Sequence, residues 1–271
     1  SNRPRIFNMN HELCDIFTDK FVTRITNDRQ DRFWVGTRYN GLACFDPNSG
    51  KSREFNSRNT QWLAKYHMDF VQEIFCDSRN RLWIGYNNDL VICQIQPDGT
   101  LTHLHSLPSV TDVVSAAEDD EGRIWLGLTR KGLYVFSPDL KLTANVNLPH
   151  AENITCIRRF DKSHMLFSAY GTGLYTINTK TMTAEPFDRE QTKDCINAID
   201  LLLADNGQLW IGTYGSGVFS YDLDKRAIHN YNGLISNDIV ALLEDSDHNI
   251  FMSSSYGLYR YDPQTEKLTT Y

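Results

Sequence analysis

Ile124-Trp125-Leu126-Gly127, a short polar loop, then Gly132-Leu133-Tyr134-Val135-Phe136: this phrase is written six times in the chain, and reading it decides the fold. The first two copies are Phe33-Trp34-Val35-Gly36 with Gly41-Leu42-Ala43-Cys44-Phe45, and Leu82-Trp83-Ile84-Gly85 with Leu90-Val91-Ile92-Cys93. The last three are Leu166-Phe167-Ser168-Ala169 with Gly173-Leu174-Tyr175, Leu209-Trp210-Ile211-Gly212 with Gly217-Val218-Phe219, and Ile250-Phe251-Met252-Ser253 with Gly257-Leu258-Tyr259. The central aromatics stand at 34, 83, 125, 167, 210 and 251, so the spacings are 49, 42, 42, 43 and 41 residues. A period of ~40–45 with several short strands per copy is the signature of a β-propeller. One such repeat cannot bury its own apolar faces, so the copies stack into a single body.

Working outward from copy three, the mostly apolar run 112–118 reads as a buried strand. Asp119-Asp120-Glu121-Gly122 reads as a tight turn. Second, third and fourth strands follow at 123–128, 132–137 and 141–146, with Pro138-Asp139 marking the last turn. The expectation is therefore an all-β propeller of six four-stranded antiparallel blades, with repeats near 20–58, 66–106, 110–147, 152–188, 194–231 and 237–271. Trp34, Trp83, Trp125, Phe167, Trp210 and Phe251 are expected at equivalent buried positions between blades. Glycine in the second strand is expected to let neighbouring blades approach closely, and glycine before the third to turn the chain with positive φ. Residues 1–19 are read as a tag remnant, Ser1-Asn2, followed by an orphan outer strand at Arg5-Ile6-Phe7 and a linker. The orphan either adds to an edge or marks a piece of a longer array.

The bulk numbers exclude several classes. Of 271 residues, 27 are Lys or Arg and 34 are Asp or Glu, giving a net charge of −7. An acidic chain without a basic cluster argues against nucleic acid and anionic membrane as partners. No apolar run approaches the ~18 residues of a membrane span. The six cysteines form no CxxC pair and read mostly as small core hydrophobes. No cofactor or metal is expected. His103 and His105 alternate on an outer strand and read as solvated, and Asp245-Ser246-Asp247-His248-Asn249 lacks the later ligands of a calcium loop. No P-loop, nucleophile elbow or HExxH run appears.

The pattern of Asp, then Trp-Ile-Gly-Thr, then Gly-Leu, together with Tyr231-Asn232-Gly233-Leu234-Ile235-Ser236-Asn237-Asp238, resembles the two-component regulator propeller repeat across nearly the whole chain. Copies one, three and five match closely. The other three drift, with Phe167 and Phe251 for Trp and Ala169 and Ser253 for Gly. The resemblance implies the periplasmic sensor region of a hybrid histidine kinase of gut Bacteroidetes, its parent anchored in the inner membrane. It implies an adjacent propeller and an immunoglobulin-like domain as neighbours, leaves room for a homodimer, and makes oligosaccharides the typical ligands.

Ligands of propellers meet a face made of loops between second and third strands and between blades. Here the first kind are 38–40, 86–89, 129–131, 170–172, 214–216 and 254–256, and five of the six carry Tyr. A tyrosine offers a sugar both a flat apolar face and a hydroxyl. The expected ligand-binding residues are Arg38, Tyr39, Trp62, Tyr66, His67, Tyr86, Asn87, Tyr170 and Tyr214. Trp62, Tyr66 and His67 lie in the long connection that produces the 49-residue spacing. The alternatives for Trp62 are contact with a ligand or domain, and capping of a blade edge. The function expected is a non-catalytic sensor. The alternatives are a propeller enzyme, such as a polysaccharide or lactone lyase, and a protein-binding scaffold.

Overall fold

The structure, a computed structural model, describes residues 21–64, 70–86, 89–231 and 234–271. The expected readings for residues 1–19, Tyr66, His67 and Asn87 lie outside the described residues. Blade one comprises β1 (Val22–Asn27), β2 (Phe33–Thr37), β3 (Leu42–Asp46) and β4 (Lys51–Phe55). Blade two comprises β5 (Val71–Cys76), β6 (Arg81–Tyr86), β7 (Leu90–Ile95) and β8 (Leu101–Leu107). Blade three has β9 (Val113–Glu118), β10 (Ile124–Leu128), β11 (Gly132–Phe136) and β12 (Leu142–Val146). Blade four has β13 (Ile154–Arg159), β14 (His164–Ala169), β15 (Gly173–Asn178) and β16 (Ala184–Pro186). Blade five has β17 (Ala198–Leu203), β18 (Gln208–Thr213), β19 (Val218–Asp222) and β20 (Ala227–Tyr231), and blade six has β21 (Ile239–Glu244), β22 (Ile250–Ser254), β23 (Gly257–Asp262) and β24 (Lys267–Thr270). Every sheet is a four-stranded antiparallel meander in sequence order. A single turn of helix, α1 (Gln61–Ala64), sits on the connection between blades one and two.

Burial follows the repeat. β6 and β10 are buried along their whole length, whereas β4 and β20 are mostly exposed. Trp34, Trp83, Trp125, Phe167 and Trp210 are all buried, as the common register predicts. Phe251 departs from the expectation and is only half-buried.

The tryptophans are held by a motif that recurs six residues upstream. Asp28, Asp77 and Asp119 each accept a hydrogen bond from an indole Nε1, of Trp34, Trp83 and Trp125, at 2.9, 2.9 and 2.7 Å. The same oxygens take the Nε of Arg32, Arg81 and Arg123 at 2.7, 2.6 and 2.7 Å. One carboxylate thus accepts from a buried indole and a guanidinium Nε together, which low-dielectric burial favours, while Nη2 of Arg81 and of Arg123 has no partner among the described residues. Blade five has Ala204 and Gln208 at the Asp and Arg positions, and Trp210 Nε1 has no hydrogen-bond partner among the described residues.

Blades meet through the glycine of the second strand. A Cβ on Gly36 would lie 2.7 Å from Val71 Cγ1, and one on Gly127 would lie 2.5 Å from Ile154 Cγ2. Both distances are shorter than any real contact, so only hydrogen fits where the next blade's inner strand crosses. Each inner strand carries a register shift near its start, for example between Val22 and Arg24, Ile154 and Cys156, and Ala198 and Asp200. A bulge of this kind re-aims the side chain that follows it. It brings Arg24, Glu73, Ser115, Cys156, Asp200 and Ala241 to one ring around the axis.

Among the described residues, blades six and one are not joined as the other neighbours are. Inner strands of each consecutive pair, β1–β5 through β17–β21, pack on each other, and β21 and β1 make no equivalent contact. Val22 is 43% exposed, whereas Val71, Val113, Ile154, Ala198 and Ile239 at the same position are at most 2% exposed. Leu258 is 39% exposed, whereas Leu42, Leu90, Leu133, Leu174 and Val218 are at most 3% exposed. The half-buried Phe251 belongs to this same uncovered face.

Candidate functional site on the loop face

The loops after the second strands share one anchor. The backbone N–H groups of Arg38, Thr129, Tyr170 and Tyr214 donate to the carbonyls of Phe21, Asp112, Asn153 and Asn197, each just before its inner strand. This repeated bond aims the loops at one face. Tyr39, Tyr170, Tyr214 and Tyr256 are exposed there. Tyr39 meets Phe21 edge-on at 5.9 Å, and Arg38 lies 5.6 Å from the rings of both Tyr39 and Phe70.

One of the expected residues is placed differently. Tyr86 is 2% exposed, because it is the last residue of β6, paired with Val71, and fills the position of Thr37 and Thr213. The loop of copy two begins one residue later than the sequence suggested, so Tyr86 is a core residue away from the rim. Trp62 is half-buried, its ring 5.6 Å from that of His103 on β8, the outer strand of blade two. Its neighbour Leu63 is fully buried in the core between blades one and two. Arg38, Tyr39, Tyr170 and Tyr214 remain on the loop face, distributed over blades one, four and five.

Two concave sites open beside those tyrosines. A cleft of about 520 Å³ is lined by His150, Thr172, Tyr175, Arg189, Lys193 and Ile196, with Gly171 directly after Tyr170. A second, of about 400 Å³, is lined by Arg130, Lys131, Tyr134, Asn145, Asn147 and Glu152. Both fall in the size range of small-ligand pockets. Sequence reasoning named the loops of Arg130, Lys131 and Thr172 but did not single out His150, Arg189, Lys193, Ile196, Asn147 and Glu152, which lie on connections between blades. The available signal was the pairing of Arg189 and Lys193 four residues apart on one such connection.

The residues after the inner-strand bulges carry paired charges. Arg24 Nε donates to Glu73 at 2.7 Å, and Arg158 Nη2 to Asp200 at 2.6 Å. Arg24 also reaches Val114 O across an intervening blade, and Asp200 accepts the Leu242 N–H. Burial pushes the Glu73 carboxyl up, against the pull of Arg24. Burial likewise pushes the thiols of Cys44, Cys76, Cys156 and Cys195 to about 12, so none is a ready thiolate nucleophile. The five described cysteines are free; four are buried and Cys76 partly so, in keeping with their reading as mostly small core hydrophobes. Among the described residues one group has metal-ligand spacing, Asp205, Glu244 and His248. Within it Glu244 accepts the Asp205 backbone N–H and faces His248 Nδ1 at 2.9 Å, while the Asp205 carboxylate is exposed.

No protein-family model matches the chain. By sequence it is 28% identical, over 92% of its length, to Histidine kinase P4 of Formosa agariphila, and it spans 19% of that relative. By structure it is similar to the extracellular domain of a hybrid two-component system from B. thetaiotaomicron, with a TM-score of 0.75 and 20% identity over 97% of this chain and 35% of that one. Virginiamycin B lyase from Staphylococcus aureus gives a TM-score of 0.72 at 15% identity, over 94% of this chain and 85% of the lyase. The six-bladed all-β propeller is the class of protein these findings define. The relatives include the sensor and kinase proteins that the repeat resembles, and the lyase has the same fold as an enzyme. The chain spans about a fifth of the curated relative and about a third of the extracellular domain. No helix among the described residues is long and apolar enough to cross a membrane.

Proposed function

We propose that the chain is a non-catalytic sensor propeller of a two-component signalling system, located outside the cytoplasm, and that it binds an oligosaccharide on its loop face. The observation that carries this is the convergence, on one face, of exposed tyrosines with two clefts rich in side-chain donors. Stacking of a sugar's C–H face on Tyr170 or Tyr214, with hydrogen bonds from neighbouring polar groups, is the chemistry such a face supplies. An adjacent propeller and an immunoglobulin-like domain are the neighbours the reading entails, and a homodimer is compatible with it.

The test is calorimetry of the chain against a panel of neutral and acidic glycans. Binding weakened roughly tenfold by Tyr170→Ala or Tyr214→Ala, and untouched by substitutions of the opposite face, supports the assignment. Binding lost only through the opposite face overturns it. The lyase fold is the second reading. Against it stand channel charges that are mutually paired, and buried thiols that are protonated. Turnover of any glycan or lactone by the purified chain, abolished by one channel substitution, would replace the sensor with the enzyme.

A further inference from the structure

We infer that the cleft at blades four and five takes an acidic sugar, one bearing carboxylate or sulfate groups. The inference rests on the oligosaccharide reading and narrows it to a ligand class and a place. The cleft wall carries His150, Arg189 and Lys193, and no carboxylate lines it. The chain as a whole has a net charge of −7, so a concave wall carrying Arg189 and Lys193 and no carboxylate runs against its composition.

Some arginines elsewhere are matched, while others, such as Arg53 and Arg130, have no ion pair among the described residues. Arg24 pairs with Glu73, Arg81 with Asp77, Arg123 with Asp119, and Arg158 with Asp200. Arg189, Lys193 and His150 have no ion pair among the described residues. Asp188, adjacent in sequence to Arg189, is engaged elsewhere. The Tyr221 hydroxyl and Arg226 hold its carboxyl below the ordinary range. The second cleft continues the basic strip with Arg130 and Lys131, tempered by Glu152. Unmatched cations gathered around a concavity repel one another and focus a positive potential into it, which an anionic ligand relieves. The floor is suited to a ring as well as a charge. Ile196 is exposed and Tyr175 half-buried, and a Cβ at Gly171 would meet nothing within 4 Å. Gly171 thus leaves open space where a ligand can approach the backbone.

Titration calorimetry on the full chain tests this with four probes: digalacturonate, its neutral counterpart digalactose, a sulfated chondroitin disaccharide, and inorganic sulfate. The expected result is binding of at least one acidic sugar, with digalactose roughly tenfold weaker or more, and affinity falling as salt rises. The double variant Arg189→Ala with Lys193→Ala should weaken that binding by about tenfold or more, while Arg53→Ala on the outer strand of blade one leaves it unchanged. Both substituted positions are exposed, and an unaltered Tm verifies folding. Equal affinity for digalactose, or a double variant within about twofold of the parent, overturns the inference. Inorganic sulfate binding as tightly as the sulfated disaccharide also overturns it, since the cleft then reads an anion and not a sugar. Neutral-sugar binding that Tyr170→Ala abolishes and the double variant spares sinks the acidic class but leaves the loop-face reading standing. Failure of both acidic sugars to bind at millimolar concentration defeats the inference outright.

Discussion

Asp119 is worth more than its single charge. It holds the Arg123 guanidinium, the Arg123 N–H and the Trp125 indole at once, at 2.7, 3.0 and 2.7 Å. Asp119→Ala leaves a guanidinium and an indole N–H without acceptors next to the core, and should cost about 3–5 kcal/mol by urea denaturation. Blade five offers the complementary experiment. Trp210 Nε1 lacks a partner there because Ala204 and Gln208 replace the acid and the arginine. Ala204→Asp alone buries a carboxylate without its guanidinium and should not stabilise. Ala204→Asp with Gln208→Arg should restore the motif and gain about 1 kcal/mol over the single variant. A double variant no more stable than Ala204→Asp would show that the motif's value depends on its own blade.

The blade is a good element and a poor unit on its own, because its faces are finished by the next blade. Gly127 illustrates this. Its absent side chain makes room for Ile154 of the following inner strand. Gly127→Ala should cost about 1–3 kcal/mol, measured as a drop in denaturation midpoint, since both backbones are fixed by their sheets. Turns also link blades. Glu244, at the end of β21, accepts the Asp205 N–H of the preceding blade and hydrogen-bonds His248 Nδ1, which raises the His248 pKa above its ordinary value. Folding therefore favours the protonated imidazole. That contribution is complete below the ordinary histidine value near ~6.5 and is lost as pH rises through the raised one. The Tm of the parent should fall more between about pH 6 and pH 8 than that of His248→Gln, and parallel profiles would refute the coupling.

At the scale of the molecule, the two faces between blades six and one behave differently from the five sealed junctions. Leu133 and Leu258 occupy the same repeat position, one fully buried and one 39% exposed. Leu133→Ala should cost about 2–5 kcal/mol, and Leu258→Ala less than about 1 kcal/mol. Equal costs would mean that Leu258 is buried in solution. The same asymmetry explains why Phe251 is less buried than its five counterparts. Its sequence position is equivalent, but no described strand packs over its blade face as one does at the other five positions.

The sequence by itself determined the repeat, the number of blades, the strand order within each and the burial of five central aromatics. Those follow from local alternation, turn residues and a fixed period, all of which act over a few tens of residues. It placed Arg38, Tyr39, Tyr170 and Tyr214 on loops correctly, because glycine and polar residues mark where strands end. It misjudged Tyr86 by one position, and a shift of one residue in a strand moves a side chain from rim to core. The clefts, the unmatched cations at 189 and 193, the paired charges beyond the inner-strand bulges and the exposed faces of blades six and one were decided only by tertiary structure. Each depends on which residues of separate blades meet, and that is set by inter-blade packing and by bulges whose sequence signal is a single unremarked residue.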